Sequence, residues 1–194
     1  MVRVARRQGT AAAVAALLLA LTGCGRAGAT AEAHAQSAPP SSAPSQTRWP
    51  AGIAGGACLL IEYDEVQQDI GVSFDVSAAG ESQNTFTCVL QKQGIDLPDL
   101  TLAVTPTAVD STVFRASVQP KGAAVVANLG RVAYSVTLPP AAASGPVVEV
   151  GWLAGNGRLM ILRYRSPVTA AAAEATAMVP KLVTLAKQVD LSSV

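Results

Sequence analysis

The sequence predicts an α+β domain over residues 51–194, a mainly antiparallel sheet with helices packed on one side, in the order α-β-β-α-β-β-β-α. Three observations predict it. Segments near 59–71 and after 166 repeat apolar residues at helical spacing. Between them lie short runs rich in Val, Leu, Thr and Tyr, the composition of strands. Finally, Gly155-Asn156-Gly157 separates the last two runs, and Asn-Gly is the strongest short-range hairpin signal. Hairpins join antiparallel neighbours, and the apolar face of such a sheet is covered by helices.

The first element, LLIEYDEVQQDIG (59–71), sets Leu59, Leu60, Tyr63, Val66 and Ile70 on one side of a helix, with Gly71 as its C-cap. Its acids, Glu62, Asp64, Glu65 and Asp69, suit the first turn and wet face of a helix and lack the spacing of a calcium loop. Two strands, TFTCVLQ and LTLAVTP, follow, joined by the turn-prone KQGIDLPD. TAVDSTVFRASVQ reads as a short helix that Pro120 ends. After KGAAVVANLG come the strands RVAYSVTL, PVVEVGWLA and RLMILRYR; GNGR, flanked by strands on both sides, is a turn and not a nucleotide loop. The last segment opens with Ser166-Pro167, a cap followed by proline at the first helical position. Ala171, Ala175, Met178, Val179, Leu182, Ala186 and Val189 then keep one apolar face, and Pro180 predicts a kink or two shorter helices.

Residues 1–23 have the form of an export signal. Arg3, Arg6 and Arg7 precede an apolar stretch from 10 to 21 that is too short to span a bilayer. Leu21-Thr22-Gly23-Cys24 resembles the lipobox of bacterial lipoproteins, which implies diacylglycerol on the Cys24 sulfur, cleavage before it and a membrane anchor. A thiolate is a good nucleophile for a lipid donor, and two acyl chains hold stably where one is marginal. From 24 to 50 the chain is Ala, Ser, Pro, Gly and Thr with almost no large apolar residue, the composition of a disordered tether. Its reach, about 5 to 6 Å times the square root of its length, keeps the domain within roughly 30 Å of the lipid.

Charge and cysteine usage narrow the function. The full chain has 14 basic and 13 acidic residues; losing three arginines with the signal leaves 11 against 13, formally −2. A chain without a Lys/Arg cluster has no nucleic-acid footprint. The only histidine, His34, lies in the tether, which argues against imidazole-based triads and zinc sites. Outside the cytoplasm, Cys58 and Cys88 are most economically a disulfide. Closing a loop of roughly 30 residues is worth on the order of 3 to 4 kcal/mol in the chain-entropy description.

Taken together, the lipobox, the Ala/Ser/Pro tether, a Cys-Leu-Leu start leading to a helix that ends Ile70-Gly71, a second cysteine in the next strand, and Asn-Leu-Gly-Arg-Val-Ala-Tyr (128–134) resemble small actinobacterial lipoproteins built on a domain of unknown function. Related envelope modules include the extracellular sensor domains of membrane kinases. The resemblance implies a location at the outer face of the cytoplasmic membrane and a fold, with no reaction. In such proteins an acid often follows the motif's glycine; here Arg131 stands in that place.

No Gly-x-Ser-x-Gly is present, and the acids Asp75, Asp96, Asp99, Asp110 and Glu149 read as turn residues and wet strand faces rather than a hydrolytic pair. No metal or cofactor is expected. The leading expectation is a non-catalytic binding or accessory module for another envelope component. Its most suggestive surface is RLMILRYR, where Arg163 and Arg165 share a strand face and Arg158 lies near the hairpin tip. Such a ridge suits phosphate head groups or an acidic partner; pairing with local acids is the plainer expectation. The alternative is a carrier of a lipid or other apolar ligand in a space between sheet and helices. Trp152 is expected to pack at the hairpin, and Trp49 to cover the domain's entrance.

Overall fold

The computed structural model describes residues 49–192. The expected export signal, the lipidated Cys24, His34 and the tether as far as residue 48 lie outside the described residues.

All strand pairings are antiparallel. Strands β1 (Val76–Ser82), β2 (Thr85–Lys92), β3 (Ile95–Pro106), β4 (Ala124–Val125), β5 (Val132–Leu138), β6 (Val147–Leu153) and β7 (Arg158–Arg165) form one sheet in the order β1-β2-β3-β7-β6-β5-β4. Two hairpins give the first half. Gln83 and Asn84, both in the left-handed region, turn β1 into β2 as a two-residue loop of the primed type requires. Gln93 and Gly94 turn β2 into β3. The chain then crosses through a short helix, α2 (Ser111–Val113), which continues as a π-turn (Phe114–Val118). Asp110 caps it by accepting from the backbone N–H groups of Thr112 and Val113. A meander of β5, β6 and β7 brings β7 back beside β3. The expected Asn-Gly hairpin closes it, with Ala154 N–H donating to the Arg158 carbonyl at 2.8 Å.

Alternation divides the sheet into two faces. Leu90, Leu100, Leu102, Val150, Trp152, Met160 and Leu162 point to one, where they form the main core with α1 (Tyr63–Ile70) and α3 (Ala172–Ser192). In α1 the buried residues are Tyr63, Val66 and Ile70, the helical stripe the sequence predicts. Gly71 ends the helix in the left-handed conformation, and Lys181 of α3 donates to the Ile70 carbonyl, a cation at a helix C-terminus. Trp152 packs under α3 rather than at the hairpin, its indole N–H donating to Asp190 at 2.9 Å. Cys58 and Cys88 are bonded, Cα atoms 4.9 Å apart, and both are buried. The other face carries a smaller apolar cluster in which Phe114 covers Val132, Tyr134 and Leu153.

Four expectations are corrected. The first helix begins at Tyr63, not at Leu59: residues 51–60 form two 3-10 turns, Ala51–Ala54 and Gly56–Leu60, and Ile61 is extended so that its side chain enters the core. β1 and the two-residue β4 were not expected. The last helix starts at Ala172 because Ser166 prolongs the sheet instead, exchanging backbone bonds with Gly145 and Pro146. One helix runs through Pro180, its buried Leu182, Leu185, Ala186 and Val189 held against sheet and α1. Among the described residues no helix is long and apolar enough to cross a membrane.

Candidate binding cleft and the charged sheet face

The three arginines singled out in the sequence do not form one ridge. Arg163 and Arg165 lie on the face opposite α3, whereas Arg158 has the parity of Met160 and Leu162 and begins the strand at its other end. Two separate sites result.

On the open face, register sets each guanidinium across from an acid. Arg165 pairs with Asp99 on β3, and Arg163 with Glu149 on β6. Arg165 Nε donates to both Asp99 oxygens at 2.9 and 2.8 Å, and its Nη2 donates to Oδ2. Arg163 Nε donates to Glu149 Oε2 at 2.8 Å, and its Nη2 to the same oxygen. Both carboxylates are buried, contrary to the expectation of wet strand faces, while the arginine side chains are 47% and 46% exposed. A buried carboxylate persists as an ion only where donors replace its water, and here the guanidiniums do so. Tyr134 adds a third donor to this row, its hydroxyl bonding Glu149 Oε1 at 2.8 Å. Burial, and then that bond, push the tyrosine hydroxyl well above its ordinary range, so it stays a neutral donor. The Asp99 partner likewise raises the Arg165 pKa.

The tyrosine's position has its own cause. Tyr134 lies across the sheet from Gly151, and a Cβ there would meet the ring at 2.5 Å. Phe114 packs on the ring's other neighbours, with centroids 5.8 Å apart. Sequence reading missed Glu149 and Asp99 as paired groups. The signal was present: Glu149 interrupts a strand whose every other residue is apolar or glycine, two positions from Tyr134's partner.

At the opposite end of β7, on the helix-bearing face, lies an apolar cleft of about 330 Å3. Leu59 and Leu60 of the second 3-10 turn form one wall, and Phe86, Val104 and Pro106 the other. Arg158 supplies the lining's one charged side chain. The disulfide at Cys58 fixes the turn to β2, so the Leu59 wall is held in place while Leu59 itself is 69% exposed. Trp49, also 69% exposed, does not close the domain but borders a shallower hollow with Glu62 and Asp64. Arg131, the departure from the acid-bearing motif, reaches the Val109 carbonyl at 3.2 Å and so braces the crossover.

Among the described residues no group of three His, Cys, Asp or Glu side chains is placed to hold a metal ion. The other acids have local duties. Asp75 accepts from the Gln93 N–H at 2.6 Å, and Asp110 is a cap whose backbone donors hold its pKa below the ordinary value. Asp69 is the exception: one carboxylate oxygen is buried without a hydrogen-bond partner, and burial raises its pKa.

No family model, no curated protein and no solved structure matches this chain.

Proposed function

We propose that this protein is a lipid-anchored, non-catalytic binding module of the cell envelope that holds an apolar ligand in the Leu59–Phe86–Arg158 cleft. It is exported, fixed through Cys24 to the outer face of the cytoplasmic membrane, and works close to the lipid surface. The cleft is the observation that carries this reading. Its volume is at the lower end of the roughly 300 to 1,000 Å3 typical of small-molecule sites, and its walls are apolar with one orienting charge. Export is supported by the charged and apolar leader before Cys24 and by the Cys58–Cys88 bond, a linkage that persists in oxidising compartments.

The carrier reading thus moves ahead of a purely protein-binding role, with the space located at the sheet's end rather than beneath α3. Arg163 and Arg165, neutralised by buried acids, favour the protein-binding role only as oriented donors on the open face. Intact mass spectrometry of protein extracted from its own membrane separates these readings. Covalent acyl mass absent in Cys24→Ala establishes the anchor. A second lipid kept under gentle conditions, lost on denaturation, and still present in Cys24→Ala supports the cleft; its absence leaves the accessory role.

A further inference from the structure

We infer that the ligand of this cleft is a single-chain amphiphile with an acid head, a fatty-acid anion, and that Arg158 is the residue that selects it. This rests on the cleft being a ligand site, as proposed above. The lining is asymmetric. Five of the side chains named above are hydrocarbon or aromatic, and the charge is confined to Arg158, which stands where β7 begins, opposite Pro106. An alkyl chain laid along Leu59, Leu60, Phe86 and Val104 removes apolar surface from water, including the exposed part of Leu59.

Charge complementarity chooses the head group. A neutral head gains no charge-assisted bond from a guanidinium, a cationic head is repelled, and a carboxylate accepts two parallel N–H bonds. None of the cleft's lining residues is an acid that would oppose an anion. The space of about 330 Å3 suits one chain rather than the two of a diacyl lipid. The wall is also preorganised. Cys58, adjacent to Leu59, is bonded to Cys88 of β2, so the cleft exists before the ligand arrives and little ordering is required on binding.

The test uses the full chain carrying Cys24→Ala, so that no covalent lipid competes, titrated calorimetrically at neutral pH with decanoate and with 1-decanol below their aggregation limits. Decanoate is expected to bind one to one and at least fivefold more tightly than decanol. Arg158→Gln is expected to abolish that preference while leaving decanol affinity unchanged, and Arg158→Lys to restore part of it. Leu59→Glu, at a position exposed enough to spare the fold, is expected to weaken both ligands more than tenfold. Arg163→Gln, on the far face, is expected to change neither. Equal binding of the two ligands by the parent chain and by Arg158→Gln would overturn the selection of an acid head while leaving an apolar ligand site intact. Failure of both ligands to bind would overturn the site itself.

Discussion

Replacing Arg165 by methionine tests whether the open face is a solvated strand end or a structural ion-pair row. The Asp99 carboxylate is fully buried, and Arg165 supplies three hydrogen bonds to it. Methionine keeps much of the packing and removes every donor. Breaking a buried pair from one side costs about 3 to 5 kcal/mol. Because Arg165 is half exposed, water enters in its place, and the lower end, about 3 kcal/mol, is expected. Arg163→Met is expected to cost less, about 2 kcal/mol, since Glu149 keeps the Tyr134 hydroxyl. Removing both members, Asp99→Leu with Arg165→Met, leaves no orphaned charge and is expected to lie within about 1 kcal/mol of the parent. Urea unfolding at pH 7 with the disulfide intact measures all four chains. If Arg165→Met shifts stability by less than about 0.5 kcal/mol, the pair behaves as an ordinary surface bridge and the reasoning fails.

Three further outcomes are expected. Cys58→Ala with Cys88→Ala should lower unfolding free energy by about 3.6 kcal/mol, from the chain-entropy cost of a loop with a sequence separation of 30, as read by urea midpoints. Gly151→Ala should cost about 1 to 3 kcal/mol, because Tyr134 is held by Glu149 and Phe114 and has no room to retreat from the added methyl; a thermal melt unchanged from the parent would contradict this. Asp69→Asn should stabilise the protein at pH 7. The folded-state pKa of Asp69 lies above 3.8, so between the unfolded and folded values the native state binds more protons and stability falls as pH rises. The gain from asparagine should therefore vanish as pH falls below about 3, and a gain that persists there would refute burial of the charge as its origin.

The elements that sequence disclosed are those whose periodicity meets a core. α1, α3 and strands β2, β3, β5, β6 and β7 bury one side, and their apolar residues recur accordingly. β1 escaped because it is an edge strand: Val-Ser-Ala-Ala-Gly-Glu-Ser is almost wholly exposed and has no apolar alternation to read. Leu59 and Leu60 fit a helical stripe by spacing, but Gly55 and Gly56 at positive φ and the bond at Cys58 impose a tighter turn. Ser166-Pro167 has the chemistry of a helix start, and only the nearby loop at 145–146 reveals that Ser166 belongs to the sheet. The cleft was not legible at all, since its walls come from residues 59–60, 86, 104–106 and 158, brought together by register. Arg163 and Arg165 were found, but their partners sit 14 and 66 residues away on other strands, a relation that topology supplies.

The most direct test of a ligand held at the sheet's end is photocrosslinking in intact cell envelopes with a diazirine-bearing alkyl carboxylate, followed by peptide mapping. Labelling concentrated on residues 56–60 and 104–106, competed by decanoate and reduced in Leu59→Glu, is the predicted result. Labelling of the open face around Thr101 and Ile161, or label spread over the domain without competition, would contradict it.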